Sequence, residues 1–350
     1  MIEINGRQIG RGQPVYIVAE MSANHGHDFE QAVRVIAAAK EAGADAIKVQ
    51  TYTPDTMTID SDQDHFKIRG TLWDKRTLYD LYTEAYTPWE WQPKLQKIAR
   101  DLGLDFFSTP FDFSAVDFLE SMKVPAYKVA SFESIDLPLL QKIARTQKPI
   151  IMSTGMMSLA EIEEGVCAMR EAGNHQLALL KCTSAYPAPP EEMNLRTIPH
   201  LAETFHVETG VSDHTFGSVV PVAAVALGAS IIEKHFTVSR SLPGPDSTFS
   251  MEPHEFKQMV EAVRTAEEAL GSVHYGVTAH EIASTAFRRS LFVTRDIRTG
   301  EVFTAENVRS IRPGNGLHTR HWNEIIGRRA RKHIKRGTPL SWELVEGPEE

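Results

Sequence analysis

Eight short apolar runs in this sequence finish in polar or ionisable residues. The first ends in Glu20, and the second carries Lys48 and Gln50. Ser108 and Thr109 close the third, Lys128 and Ser131 the fourth, Ser153 and Thr154 the fifth. Thr183 and Ser184 close the sixth, Ser212, Asp213 and His214 the seventh, and Glu233, Lys234 and His235 the eighth. One such residue is ordinary, because a lone strand lysine usually snorkels to a rim. Eight in series are not, because burying so many ionisable groups without partners is very costly. Three chemistries follow. His214 and His235 end adjacent runs, and two neutral imidazoles suit a divalent transition ion, or Mg²⁺ more weakly. Lys48 and Lys128, set among Thr109, Ser131 and Ser153, suit a phosphate and a carboxylate. The competing chemistry for these lysines is a Schiff base, which needs one desolvated lysine of depressed pKa. Glu20, Glu133, Glu233 and Asp246 supply carboxylates for sugar hydroxyls, metal-bound water or proton transfer. Spacing alone does not rank them, and Asp246, in the loop PGPDSTFSM, also fits an ordinary turn aspartate.

The elements that must position these residues are legible from periodicity. VYIVAE (15–20), DAIKVQ (45–50), DFFSTP (105–110), AYKVAS (126–131), PIIMST (149–154), LALLKCTS (177–184), HVETGVSDH (206–214) and ASIIEKHF (229–236) have strand character. Between them lie helix-period segments such as FEQAVRVIAAAKEAG and SLAEIEEGVCAMREAG, each ended by glycine. Alternating strands and helices imply parallel strands joined by right-handed crossovers. Eight units over about 270 residues match an α/β TIM barrel, (β/α)8, whose sites lie at the C-terminal ends of the strands. A doubly wound open sheet is disfavoured because no G-x-G-x-x-G follows the first strand. The insert from Thr51 to Tyr86 has the length of a βα loop able to act as a lid. The expected division is a barrel over 1–270, a linker over 271–285 and a small β-rich module over 286–350, punctuated by TG, PGNG and RGT turns.

Composition narrows the class. Two cysteines, Cys167 and Cys182, give no disulfide framework, and a reducing cytoplasm fits them. The N-terminus lacks a basic-then-apolar signal layout, and no apolar run approaches the roughly 20 residues of a membrane helix. The net charge of -9 argues against broad nucleic-acid binding. That charge is uneven: from Ala286 onward there are 13 Lys/Arg against 8 Asp/Glu. This basic segment is suited to docking on an acidic surface or meeting an anionic ligand.

AEMSANHG, GADAIKVQT, FFSTPFD, YKVAS, STGM, CTSAYP, GVSDHT, EKHFT and GPD, in this order, resemble the sialic acid synthase (NeuB-like) family. RRSLFV and IRPGNGL resemble its antifreeze-like (SAF) domain. QTYTPDTMTID, LYTEAYTPWEW, FDFSAVDFLE, PAYKVASFE and LLKCTSAYPAP are most similar to the pseudaminic acid synthase branch. Ser184 stands where N-acetylneuraminate synthases usually carry Asn. The resemblance implies metal-dependent condensation of phosphoenolpyruvate with an acetamido-deoxy-hexose, releasing phosphate by C–O cleavage. In the pseudaminic branch the acceptor is 2,4-diacetamido-2,4,6-trideoxy-L-altrose. An N-acetylneuraminate or legionaminate synthase is the alternative, and a Schiff-base aldolase or a non-catalytic sugar-binding protein the remoter ones. The resemblance assigns Lys48, Thr109, Lys128, Ser131, Ser153, Ser184 and Ser212 to phosphoenolpyruvate. It assigns Gln50, Glu133, Tyr186 and Asp246 to the sugar and His214 and His235 to a divalent metal such as Mn²⁺ or Mg²⁺. Glu20, Glu233 and Asp246 are the expected catalytic carboxylates, with Glu20 or Glu233 activating the water, and the resemblance also sets Glu20 among the sugar contacts. It further implies a domain-swapped homodimer in which Arg312 reaches the sugar across the dimer.

Overall fold

The computed structural model describes residues 1–347 of the chain. Two compact units divide it, Met1–Gly271 and the residues from Ser272 onward. In the first, an antiparallel hairpin of β1 (Ile2–Ile4) and β2 (Arg7–Ile9) precedes a closed barrel. The barrel strands are β3 (Tyr16–Glu20), β4 (Ala46–Thr51), β5 (Asp105–Pro110), β6 (Tyr127–Val129), β7 (Ile150–Ser153), β8 (Leu177–Cys182), β9 (Glu208–Asp213) and β10 (Ile231–His235). Every neighbouring pair is parallel, and β10 closes on β3. The expected TIM barrel is present.

Helices start where the sequence supplies caps. Asp28 accepts from the backbone N–H groups of Glu30 and Gln31 at the head of α1 (Phe29–Glu41). The helix Leu159–Glu171 opens with a reciprocal capping box between Ser158 and Glu161. Between β4 and β5 the chain is more ordered than a plain lid loop. It folds into α2 (Pro54–Met57), a 3₁₀ turn at Asp64–Phe66 and α3 (Leu78–Ala85). Trp73 Nε1 donates to Pro245 O at 2.9 Å, tying this insert to the loop after β10.

Strand alternation sorts the side chains by layer. Tyr16, Val18, Phe107, Ile151, Leu180 and Ile231 point into the barrel and pack on Ile2, Ile4 and Ile9 of the hairpin. This is an apolar plug, each large residue contributing roughly 1.5–3 kcal/mol on burial. Outward residues such as Ile17, Ile47, Val49, Val211 and Ile232 pack against the helices. One or two steps above the plug the inward positions become polar.

The second unit pairs β11 (Ser290–Val293) with β12 (Val308–Ile311) antiparallel. Around them are isolated bridges, including Ile297 with Ile334 and Val302 with Arg329. Leu291, Val293, Ile297, Phe303, Val308, Ile325 and Leu340 form its core. The expected β-rich module is thus built mainly from single bridges between turns, because its runs are too short for long ladders. Within 271–285 the chain forms a 3₁₀ turn at Ala279–Glu281 and begins another at Ala283–Phe287. Among the described residues no helix is long and apolar enough to cross a membrane.

Candidate active site

The inward alternation that ends the plug brings Glu20, Lys48, Thr109, Lys128, Ser153, Cys182, Ser212 and Glu233 into one buried ring of the barrel. Lys48 Nζ lies 2.8 Å from Glu20 Oε2 and 3.5 Å from Glu233 Oε1, and donates to Thr109 Oγ1 at 3.1 Å. Lys128 Nζ donates to Ser153 Oγ at 2.7 Å and to Val129 O at 3.0 Å, with Glu233 Oε1 at 3.7 Å. Ser212 Oγ reaches Glu233 Oε1 at 3.4 Å.

The environment separates these charges. Burial pushes the Glu20 carboxyl up to about 7, aided by Glu233 and opposed by Lys48. Glu233 is equally buried, but Lys128 and Lys48 outweigh burial and hold it below the usual carboxylate range. Burial opposes the Lys48 charge, yet Glu20 and Glu233 raise its pKa overall. Lys128 is lowered, burial exceeding what Glu233 returns. The environment thus pushes the two carboxylates apart, Glu20 toward neutrality and Glu233 below the ordinary range.

Above this ring lies a second polar tier. Gln50 Nε2 donates to Glu20 Oε1 at 3.1 Å and to Ser22 Oγ at 2.9 Å, and Ser22 donates to Asp246. Burial raises the Asp246 pKa, partly countered by Ser22. The ring centroids of His214 and His235 are 5.3 Å apart, with the Tyr186 ring 4.3 Å from His214. Ser131 Oγ accepts from the Gly155 N–H at 3.0 Å, and a Cβ on Gly155 would lie 2.3 Å from Ser184 Oγ and 2.6 Å from Ser131 Oγ. Gly155 therefore opens a cradle between two hydroxyls and a backbone donor. Glu133 sits beside it, pushed up to about 7 by burial, and its Oε2 is buried with no partner.

The two imidazoles fit a divalent ion. His214 Nδ1 lies 2.9 Å from the Thr183 carbonyl, so in the neutral ring Nδ1 carries the proton and Nε2 keeps its lone pair; burial opposes its charge, but Cys182 and that carbonyl raise its pKa overall. His235 is kept neutral by burial, then by His214 and the lysines, and its Nδ1 has no partner. Among the described residues no three His, Cys, Asp or Glu side chains form a closed ligand set. Two imidazoles could hold an ion only with water or substrate oxygens supplying the rest of its coordination, one protein ligand fewer than the usual catalytic zinc site.

Not every polar strand end joins the site. Asp213 and Lys234 face away from the lumen and form a buried ion pair at 2.5 Å, Lys234 also donating to Thr215 O. Ser108 likewise turns outward, bonding Thr51 and Val49 O. Strand period two separates these residues from Ser212, Glu233 and Thr109, a distinction that naming whole strand ends overlooks. Sequence reasoning also missed Cys182, with Sγ 3.8 Å from Ser184 Oγ and 4.0 Å from His214 Nδ1, and Gly155 and Ser22. The inward alternation through Leu180 would have found the first. Arg312 lies in the second unit just after β12, exposed, with its guanidinium 6.0 Å from the Phe287 ring centroid.

Residues 35–275 match the NeuB family, and residues 288–346 match the SAF domain. The chain belongs to the NeuB family. This NeuB-family chain is 48% identical to the pseudaminic acid synthase of Helicobacter pylori over 95% of its own length and 98% of the relative's. It is also 48% identical to the pseudaminic acid synthase of Campylobacter jejuni, over 93% and 95% of the two chains. Among solved structures, the spore coat polysaccharide biosynthesis protein SpsE of Bacillus subtilis is 35% identical and covers 99% of both chains with a TM-score of 0.67.

Proposed function

We propose that this enzyme is a pseudaminic acid synthase, condensing phosphoenolpyruvate with 2,4-diacetamido-2,4,6-trideoxy-L-altrose and releasing phosphate. The observation that carries the reading is the convergence of Lys48, Lys128 and the Gly155–Ser131–Ser184 cradle on one end of the barrel beside the imidazoles of His214 and His235. The relatives named above supply the choice of sugar.

Lys48 and Lys128 hold the dianionic phosphate and the carboxylate, with Thr109, Ser153 and Ser212 donating hydroxyls and the cradle closing one side. Gln50, Glu133, Tyr186 and Asp246 orient the acceptor. A divalent cation such as Mn²⁺ or Mg²⁺, held by His214 and His235, would act as a Lewis acid on the acceptor's aldehyde oxygen. Glu233, ionised, offsets positive charge that develops at the enol carbon as the new C–C bond forms. Glu20 titrates near neutrality and can take a proton from the water that adds there. Phosphate then leaves with C–O cleavage, and the lysines stay paired with it.

We further place the enzyme in the cytoplasm and read it as a domain-swapped homodimer in which Arg312 of one chain meets the acceptor bound to the other. Supporting that, the loops after β6, β7 and β9 expose Phe132, Ile135, Met156 and Phe216, and the helix that follows β9 exposes Val219 at its start, apolar surface that a second copy would cover. The lowered pKa of Lys128 also fits imine chemistry, so borohydride trapping is part of the test. The enzyme is offered altro-, manno- and gluco-configured acetamido sugars with phosphoenolpyruvate, and products are identified by mass and NMR. The expected result is phosphate release and a nine-carbon sugar acid from the altro acceptor, with no trapped adduct. A trapped adduct, or no product from any sugar, refutes the reading.

A further inference from the structure

Asp213 and Lys234 are buried charges that the chemistry above does not use. They belong to the outward layer of the barrel. Two residues earlier in that layer Val211 stands opposite Ile232, and the next outward pair is Asp213 opposite Lys234. Hydrocarbon would serve there as well, because a buried ion pair often adds nothing over apolar residues of the same volume. Stability therefore does not account for the charges.

Their position does. The β9–β10 ladder ends where Lys234 meets Asp213. His214 and His235 are the next residues on the two chains, so both imidazoles begin where the ladder stops. His235 keeps a strand neighbour on its other side. It stands opposite Glu20 of β3, and the Phe236 N–H donates to Glu20 O at 2.8 Å. His214 has already left β9. Toward β8 it is held by its own ring at the Thr183 carbonyl and by the Ala188 N–H, which donates to His214 O at 3.0 Å. Toward β10 the ion pair takes over. Asp213 Oδ1 accepts from the Thr215 N–H at 2.8 Å. Lys234 Nζ donates to Asp213 Oδ2 and to the Thr215 carbonyl, both at 2.5 Å. The residues on either side of His214 are thus bound to the residue that precedes His235. The two rings so held have centroids 5.3 Å apart.

Resting on the reading of His214 and His235 as metal ligands, we propose that Asp213 and Lys234 are positioning residues. Their ion pair continues the strand pairing by one step beyond the ladder and sets the separation of the two imidazoles. Removing a group that orients a metal ligand lowers metal affinity by about 10- to 100-fold.

The test uses the full-length protein. Asp213→Asn combined with Lys234→Met removes both charges and the Nζ bridge, while an amide oxygen remains for the Thr215 N–H. Lys234→Met alone strands a buried carboxylate and should unfold at a much lower temperature. The double variant strands no charge and should unfold within a few degrees of the wild type. A merely structural role would then leave its site intact. Instead its Mn²⁺ affinity, measured by titration calorimetry, should fall by about 10- to 100-fold, with phosphoenolpyruvate affinity unchanged. Histidine-selective ¹⁵N labelling supplies a readout without metal. The His214 Nδ1–H resonance, assigned by its loss in His214→Ala, should shift in the double variant. A stable double variant with wild-type Mn²⁺ affinity and an unmoved His214 resonance overturns the positioning role. A wild type that binds no Mn²⁺ overturns the metal reading instead. The His214 resonance then decides the positioning role, shifted in its favour and unmoved against it.

Discussion

Replacing Lys48 and Lys128 separately by methionine should give opposite balances of stability and binding. Lys48 Nζ is 2.8 Å from Glu20 and 3.5 Å from Glu233, all three groups being buried. Its raised pKa shows that the folded state favours its charge. Lys48→Met strands Glu20 and leaves Glu233 with Lys128 alone, and breaking such a buried pair costs about 3–5 kcal/mol. At about 2–4 °C per kcal/mol the barrel transition should fall by roughly 6–20 °C. Lys128 is the reverse case. Its lowered pKa shows that the folded state disfavours the ammonium, and Glu233 retains Lys48. Lys128→Met exchanges a buried cation for hydrocarbon of similar volume and should move stability by no more than about 1 kcal/mol. Both variants should raise the KM for phosphoenolpyruvate at least 100-fold, since each removes a charge that the anion needs. The pH dependence carries a further signature. The folded pKa of Glu20, about 7, lies above its unfolded value, so its contribution to stability is present at low pH and lost as pH rises through 7. Without Lys48 that pKa climbs further, and the deficit of Lys48→Met should shrink on acidification. Thermal unfolding from pH 5 to 8, paired with initial-rate kinetics, measures both quantities. Equal destabilisation by the two substitutions, or normal phosphoenolpyruvate binding by Lys128→Met, would refute the reasoning.

Three further outcomes follow from the same geometry. Glu133, pushed up to about 7 by burial and facing Lys128, Asp136, Lys48 and Tyr82, accepts hydrogen bonds best when ionised. The acceptor KM should therefore rise as pH drops through 7, and Glu133→Gln should flatten that profile. Gly155→Ala puts a Cβ within 2.6 Å of two hydroxyl oxygens, forcing Ser184 and Ser131 out of position. A displacement near 1 Å can cost about 100-fold, so kcat/KM for phosphoenolpyruvate should fall by that order with a normal circular dichroism spectrum. Chelation should abolish turnover and Mn²⁺ or Mg²⁺ restore it, whereas His235→Ala should resist rescue; full activity in EDTA would contradict the histidine assignment.

The barrel was legible because each strand is a compact apolar run with its own stop, and the alternating order admits few topologies. The site was legible for the same reason, since a charge at the end of an apolar run has to meet a partner. What periodicity obscured was orientation. Asp213 and Lys234 occupy strand ends like their neighbours, yet a one-residue step turns them outward into their own ion pair. Gly155 matters through the side chain it lacks, and such a cradle becomes visible only once Ser131 and Ser184 have coordinates. The insert carries few long apolar repeats, so its short helices and the Trp73 tie to Pro245 depend on tertiary contacts absent from any local pattern.

The central claim is that the lysine ring holds phosphoenolpyruvate for attack through its methylene, with phosphate leaving by C–O cleavage. Phosphoenolpyruvate labelled with ¹⁸O in the bridging position, turned over with the diacetamido altrose, tests this directly by mass spectrometry. The account predicts that the label leaves in inorganic phosphate. Label retained in the sugar acid would contradict it.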